Sequence, residues 1–149
     1  MAPDGTVNFT GRYERSLDDK WRLTLPSAWR AKHDATQTFL AVRASGYIAV
    51  LPPDEVEKIR QQIKAIKLSN REAQAAANKF FSEAQAFSFD AAGRVMLDEA
   101  LLVFAGIERD VVLMGSLTKF SIFSPARAAE EARLAQTPAA RDALQILDI

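Results

Sequence analysis

The sequence predicts an α+β protein in which two pseudo-symmetric β-hairpin repeats form a small barrel-like sheet core with flanking helices. The chain repeats itself at a constant offset of 72 residues, which separates Asp18 from Asp90 and Arg22 from Arg94. Each copy also has the pattern of a short strand, a helical turn, a hairpin and a proline-led helix. We expect the first repeat at 9–56, a helical connector at 57–80, the second repeat at 81–128, and a C-terminal helix or tail at 129–149.

The repeat is defined by one motif and by the apolar positions that follow it. Residues 16–25 read SLDDKWRLTL and residues 88–97 read SFDAAGRVML. Both follow the order Ser, apolar, Asp, three residues, Arg, apolar, any residue, Leu. The register then continues without a gap for more than forty residues, as far as Pro53 and Pro125. One pentad can match by chance, whereas a gapless register indicates a duplicated unit.

The strands of each unit follow from local patterns. The motif leads into a short apolar strand, and a helical turn comes next. A β-hairpin then follows, because two β-prone runs are separated by a glycine-containing turn. The predicted ranges are 23–25 and 95–97 for the first strands, 27–32 and 99–104 for the helical turns, and 38–42, 47–51, 111–114 and 120–123 for the hairpins.

A helix closes each unit. Pro53 suits the first helical position, and the acids Asp54 and Glu55 suit the positive end of the helix dipole. In the second copy Ser124 can cap the helix that Pro125 opens. The apolar face of the first of these helices consists of Val56, Ile59, Ile63 and Ile66. The other helical segments are 70–82 and the tail 139–149, which is either weakly helical or mobile.

Composition excludes several classes of function. The 149 residues are 48% hydrophobic and 26% charged, which is typical of a globular protein, and no apolar run is long enough to span a membrane. The chain contains no cysteine, so disulfides, a thiol nucleophile and a cysteine-based zinc site are excluded. The single histidine, His33, cannot build a multi-histidine metal site. We therefore expect no enzyme, no cofactor and no metal, with the cytoplasm as the default compartment.

Charge is balanced overall but not along the chain. The net charge is zero, from 19 basic and 19 acidic residues. The segment 1–75 has three more basic than acidic side chains, and the segment 76–149 has the reverse imbalance. A local basic surface is what a phosphate backbone meets, although soluble proteins often show fluctuations of this size. The basic residues of the sharpest patch are Arg12, Arg15, Lys20, Arg22, Arg30 and Lys32.

The Asp-x-x-x-Arg spacing has a physical basis. An Asp after a strand can accept backbone N–H groups and close a tight turn, in which Gly93 adopts positive φ at little cost. The arginine then stands where the next strand begins, and the aspartate can pair with its guanidinium and orient it. An oriented guanidinium loses less entropy when it binds a phosphate or a guanine. Two interpretations remain open: a clasp that only organises the turn, or a clasp that also directs the arginine toward DNA.

The first motif and its flanks resemble the opening of MraZ proteins. Those proteins begin with Phe, Gly and Tyr ahead of a Leu-Asp-x-Lys-Gly-Arg-apolar-x-apolar-Pro segment, and residues 9–26 here read FTGRYERSLDDKWRLTLP. The segments 89–97, 105–107 and 111–115 resemble the second half of the same family. The resemblance covers nearly the whole chain, and both motifs occur at the family's separation. More distantly, the motif resembles that of the AbrB-type swapped-hairpin DNA-binding superfold.

The resemblance implies a sequence-specific DNA-binding transcriptional regulator, a repressor of the division and cell-wall gene cluster that is cytoplasmic and associated with the nucleoid. It implies double-stranded DNA as partner, through short repeated boxes in a promoter, and a ring-shaped homo-oligomer. The alternative is a ring-forming scaffold that binds a protein partner without reading DNA. The expected DNA-binding residues are Asp18, Lys20 and Arg22 in the first motif, Asp90 and Arg94 in the second, and Arg12 and Arg15 beside the first.

The sequence departs from the family pattern at three positions. Trp21 stands where the first motif usually has Gly, so we expect the first turn to differ, or Trp21 to stack or pack where Gly would leave space. Ala92 stands where the first copy has Lys20, so the second turn has one cation fewer. Asp98 stands where the first copy has Pro26, which adds a negative charge. We therefore expect the first copy to carry more of the DNA affinity.

Overall fold

In the computed structural model, which describes residues 8–30 and 37–148, both repeats have the same order of strands and helices. This arrangement confirms the α+β class. The strands are β1 (Arg12–Ser16), β2 (Arg22–Thr24), β3 (Phe39–Arg43), β4 (Ile48–Leu51), β5 (Gln85–Phe87), β6 (Arg94–Met96), β7 (Asp110–Gly115) and β8 (Phe120–Phe123). The helices are α1 (Ser27–Arg30), α2 (Pro53–Lys64), α3 (Arg71–Ser82), α4 (Glu99–Phe104), α5 (Pro125–Ala135) and α6 (Pro138–Ala143), followed by a 3-10 turn at Leu144–Leu147.

The two repeats are interleaved. A six-stranded antiparallel sheet has the order β1-β7-β8-β4-β3-β5, and a separate two-stranded ribbon consists of β2 and β6. The first strand of each repeat pairs with the hairpin of the other, β1 with β7 and β5 with β3. At the centre Ile48 lies opposite Ile122, and Val50 lies opposite Phe120. The repeat offset relates Ile48 to Phe120 and Val50 to Ile122, so the pairing is symmetric about the facing pair Ala49 and Ser121. The chain is therefore a pseudo-twofold structure. Among the described strands β1 and β5 are the ends of the sheet, so closure into a barrel is not shown.

Local patterns missed the two strands at the ends of the sheet. β1 reads RYERS, in which Tyr13 is the one apolar residue, and β5 has three residues. Their partner strands belong to the other repeat, so no local hairpin signal marks them. β2 begins one residue earlier than predicted, because its ladder with β6 starts at Arg22 opposite Met96. Lys32 and His33 lie outside the described residues.

One apolar cluster joins the ribbon to the sheet. The inward side chains of the ribbon, Leu23 and Val95, are buried in the same cluster as Ile48 of the sheet. Trp29 from α1 packs against Phe120, with ring centroids 4.8 Å apart, and its Nε1–H donates to a backbone carbonyl at 2.9 Å. Burial of one such side chain stabilises the fold by about 1.5–3 kcal/mol. The ribbon is therefore held against the sheet by its apolar side.

The predicted proline-led helices are confirmed. α2 begins at Pro53 and α5 at Pro125, and Ser124 caps α5 by accepting the N–H of Arg127 at 3.1 Å. α2 and α3 lie at the periphery, because no residue of either helix is buried, including the predicted apolar face of α2. The burial that positions the motifs therefore comes from the strands and from α1 and α4.

Candidate nucleic-acid interface

The first motif folds into a tight turn organised by Asp18. The N–H of Trp21 donates to the carbonyl of Asp18, and the N–H of Asp18 donates to the carbonyl of Arg22, both at 2.9 Å. Asp18 Oδ1 accepts the N–H groups of Lys20 and Arg22, each at 2.9 Å. Asp18 Oδ2 accepts the Nε–H of Arg22 at 2.8 Å. One carboxylate therefore closes the turn and clasps the guanidinium, which is the local structure that the spacing predicts.

The second motif repeats these contacts. Asp90 Oδ1 accepts the N–H groups of Ala92 and Arg94, each at 2.9 Å, and Asp90 Oδ2 accepts the Nε–H of Arg94 at 2.8 Å. The N–H of Gly93 donates to the carbonyl of Asp90 at 2.9 Å, as Trp21 does in the first turn. All three side-chain distances agree between the copies, so the clasp is one structural unit that the chain uses twice.

Of the two outcomes that were open for Trp21, a changed first turn is not observed. Trp21 has a φ of 62° and Gly93 a φ of 80°, so both occupy the left-handed region and both turns close in the same way. A non-glycine residue in this conformation costs about 1–2 kcal/mol. The Trp21 side chain is half exposed, and it borders a groove lined also by Met96, Leu102 and Val103. The local backbone therefore accepts the indole, which changes the surface beside the turn rather than the turn itself.

Hydrogen bonding lowers the pKa of both aspartates. For Asp18 the largest cause is the backbone N–H of Arg22; desolvation opposes the shift, and the Arg22 guanidinium and the N–H of Lys20 reinforce it. For Asp90 the pKa is lowered by the same causes in the same order, with Arg94 and Ala92 as the donors. Both carboxylates are therefore ionised at neutral pH, which charge-assisted bonds to guanidinium require.

The ribbon brings the two motifs onto one surface. In its ladder Arg22 lies opposite Met96, and Thr24 lies opposite Arg94. Residues that face each other, or that are two apart along a strand, project to the same side. Arg22 and Arg94 therefore project outward together, while Leu23 and Val95 are buried on the other side. The two arginines are diagonal neighbours, so their Cα atoms are about 7–8 Å apart.

Both guanidinium groups retain donors for a ligand. The side chains of Arg22 and Arg94 are 27% and 36% exposed, respectively. Each uses its Nε–H for the aspartate clasp, and within the described residues no hydrogen bond is formed by the Nη groups of either arginine. The aspartates thus determine the direction of the guanidinium and leave its outer edge available.

The other predicted residues lie on two different elements, the first turn and strand β1. Lys20 is exposed within the first turn itself. Arg12 and Arg15 belong to β1 in the six-stranded sheet, not to the ribbon, and both line an open groove above β1 and β7. Arg12 pairs with Glu14 at 3.1 Å, and Arg15 lies over the ring of Tyr13 at 5.2 Å. The structure therefore brings together Asp18, Lys20, Arg22, Asp90 and Arg94, and places Arg12 and Arg15 on another element, the first strand of the six-stranded sheet.

Sequence reasoning did not find two further basic residues beside the turns. Arg109 pairs with Asp19 at 2.7 Å, so the extra acid of the first motif is neutralised by the second repeat. Arg30 lies against Gly93 in the second motif. The sequence showed Arg30 as part of the basic patch, but no local pattern assigned it to the other repeat's turn.

Over residues 8–30 and 37–148, no group of three or more His, Asp or Glu side chains is placed to hold a metal ion. No described helix is both long and apolar enough to cross a membrane.

These features define a class of protein. Two β-hairpin repeats exchange strands around a pseudo-twofold axis, and they share one ribbon that presents two clasped arginines on its outer face. This is the swapped-hairpin arrangement, with both halves supplied by a single chain.

Comparison with known proteins identifies the family. A family model described as "MraZ protein, putative antitoxin-like" matches residues 8–79 and again residues 80–143. The chain is 29% identical over 126 residues to the transcriptional regulator MraZ of Thermomicrobium roseum, covering 85% of this chain and 88% of the relative. It is 32% identical over 117 residues to the protein of the same name from Syntrophomonas wolfei, covering 78% and 80%. It is 29% identical over 142 residues to that from Desulfitobacterium hafniense, covering 95% and 98%.

The chain belongs to the MraZ family. The family model matches twice, as expected for a chain made of two repeats. MraZ is a family of transcriptional regulators and not of enzymes, so the expectation of a non-enzymatic protein is confirmed.

Proposed function

We propose that this protein is a sequence-specific DNA-binding transcriptional regulator that reads double-stranded DNA through the β2–β6 ribbon. The supporting observation is that Arg22 and Arg94, from different repeats, project from the same exposed ribbon face. A two-stranded ribbon fits the major groove of B-DNA, which is about 12 Å wide. Guanine presents two acceptors there, and a guanidinium with two unused donors on its outer edge is the side chain that matches them.

The clasp explains how a partly exposed arginine can be selective. Asp18 and Asp90 hold the Nε–H of each arginine at 2.8 Å, so the outer edge is oriented before DNA arrives. Pre-orientation reduces the entropy lost on binding. In this proposal Arg22 and Arg94 contact bases, and the two aspartates are positioning residues. The remaining cations, Lys20 in the first turn and Arg12 and Arg15 on β1, contact phosphates.

The pseudo-twofold axis suggests the symmetry of the DNA site. Base pairs rise about 3.4 Å along B-DNA. Because the arginine Cα atoms are about 7–8 Å apart, the two guanidinium groups would reach bases roughly two pairs apart on opposite strands. The proposed target is a promoter with several short boxes in the division and cell-wall gene cluster, where the protein acts as a repressor associated with the nucleoid. A ring-shaped homo-oligomer would place several ribbons on consecutive boxes and raise affinity through effective concentration.

The test is binding to a duplex that the wild-type protein selects from random DNA. We expect Arg22→Ala and Arg94→Ala each to weaken binding by about 1–3 kcal/mol, and the double variant to bind like a scrambled duplex. Arg60→Ala is the matched control, because this arginine forms an exposed ion pair with Glu57 on α2, away from the ribbon. Circular dichroism establishes that each variant is folded. Unchanged affinity of the folded double variant would overturn the proposal.

A second candidate function follows from the clasp itself. Four of the six hydrogen bonds to the two aspartate side chains come from backbone N–H groups of the turns, and a purely structural turn would have the same four. A ring-forming scaffold that binds a protein partner would need the clasps for folding alone. It predicts no salt-dependent DNA affinity and a loss of folding or assembly in Asp18→Ala. Light scattering over a wide concentration range measures the assembly directly.

A further inference from the structure

The second turn lacks the cation that the first turn carries in its own sequence. Ala92 occupies the position of Lys20 in the other repeat. The charged residues of each motif sum to zero, but Arg109 pairs with Asp19 at 2.7 Å, so Lys20 is a cation in excess at the first turn. In the second motif Asp90 pairs with Arg94 at 2.8 Å and leaves no cation in excess. A ribbon end without a cation would make a weaker contact with the phosphates that flank the groove.

Arg30 supplies a guanidinium at this position from the other repeat. It is the last residue of α1, and its Nε–H donates to the carbonyl of Leu25 at 3.2 Å. The N–H of Leu25 in turn donates to the carbonyl of Gly93 at 2.9 Å. A Cβ atom on Gly93 would overlap the Nε, Cζ and Cδ atoms of Arg30. The guanidinium therefore lies directly on the Cα of Gly93, one residue before Arg94.

The two turns differ in where the large side chain is located: in the turn itself in the first repeat, and on the neighbouring helix for the second turn. The repeat offset relates Gly93 to Trp21 and Arg30 to Leu102. In the first turn a large indole borders the same groove as Leu102, with Lys20 beside it. At the second turn the turn residue is the small Gly93, and the large cationic side chain is that of Arg30 on α1. Each end of the ribbon thus has one cation beyond its Asp–Arg pair, drawn from a different position.

We propose that Arg30 is a further phosphate-binding residue of the nucleic-acid interface and gives the second turn the charge that Lys20 gives the first. This inference rests on the proposed DNA-binding function. Arg30 is half-buried, and its Nη groups make no hydrogen bond within the described residues, so they remain available to a phosphate oxygen. The expected deficit of the second repeat in DNA affinity is then smaller than Ala92 alone implies. Gly93 is needed for more than its backbone conformation, because any side chain there would displace the guanidinium.

The test is the salt dependence of binding, measured by fluorescence anisotropy on the duplex selected by the wild-type protein. Each phosphate neutralised adds about 0.9 to the slope of log K against log salt. We expect Arg30→Gln to lower the slope by about 1 per ribbon engaged, and Arg30→Lys to restore most of it. Gly93→Ala keeps the charge but moves it, so it should lower the slope as well.

A matched control exists in the same chain. Arg127 also donates its Nε–H to a backbone carbonyl, that of Ser45 at 3.0 Å, and also lies over a glycine, Gly46. It is on α5, outside the ribbon, so Arg127→Gln should leave the slope unchanged. If Arg30→Gln leaves the slope at its wild-type value while Arg22→Ala with Arg94→Ala abolishes selective binding, Arg30 is structural and this inference is wrong. If that double variant binds as the wild type does, the proposed function itself has failed.

Discussion

The β2–β6 ribbon, which carries both motif arginines, packs against the sheet through the buried side chains of Leu23 and Val95. Leu23→Ala tests how much this packing contributes to the free energy of unfolding. Leu23 is fully buried, and it is the only buried residue of its three-residue strand. Removing three carbon groups at about 0.8 kcal/mol each forfeits about 2.4 kcal/mol of burial. The cavity left behind adds to this, so we expect a loss of about 3–4 kcal/mol in the free energy of unfolding. For a chain of this size that loss corresponds to a fall in Tm of about 6–16 °C.

The assay is urea unfolding followed by far-UV circular dichroism at one fixed protein concentration, because assembly would couple stability to concentration. Thr24→Ala is the matched control: it is the next residue of the same strand, but it is exposed on the outer face. A surface change of this kind should stay within about 0.5 kcal/mol. A Leu23→Ala protein that is no less stable than Thr24→Ala would refute the idea that the ribbon is anchored through its apolar side.

Two further outcomes are expected. The pKa of Asp18 and of Asp90 is lowered in the folded state, so their stabilisation is complete above their unfolded pKa of about 3.9 and is lost as the pH falls through the folded values. Unfolding curves between pH 6 and pH 2.5 should therefore lose stability mainly below pH 4, and a variant with both aspartates changed to Asn should lose less across that range; equal slopes would contradict the clasp as the cause. The isolated segment 1–70 should give no native β-sheet spectrum as a monomer, because the partners of β1 and β2, which are β7 and β6, belong to the other repeat. Circular dichroism and light scattering measure the fold and the mass of this segment. A folded monomer would show that one repeat folds without strand exchange.

The turns were predictable because their bonds are local. Asp18 reaches the N–H groups of Lys20 and Arg22 within five consecutive residues, so the spacing alone determines which donors are near. The repeat then predicted a second turn with the same geometry, and the bond distances at Asp90 agree. Two outcomes were open at the non-glycine position of the first turn, a changed turn or an indole that stacks or packs, and the turn is unchanged around Trp21. Its positive φ has a cost, but the hydrogen bonds around Asp18 are retained.

The sheet edges and the surface around the turns were not predictable in the same way. β1 is mostly polar and β5 has only three residues, and their partners belong to the other repeat, so neither periodicity nor a hairpin turn marks them. The contact of Arg30 with Gly93 joins residues of different repeats and depends on the pairing of β2 with β6. No pattern along the chain contains that information.

Residue order alone determined that this protein has two copies of one unit, that each copy has an aspartate-clasped arginine at the start of a short strand, and that proline-led helices follow. These properties depend on interactions among residues a few positions apart, whose geometry the backbone restricts strongly. Only the tertiary structure decided that the copies exchange strands and that their arginines share one face of one ribbon. Strand pairing is chosen by burial of the whole apolar surface, with Leu23 and Val95 on one side of the ribbon, and that choice depends on contacts between residues far apart in the chain.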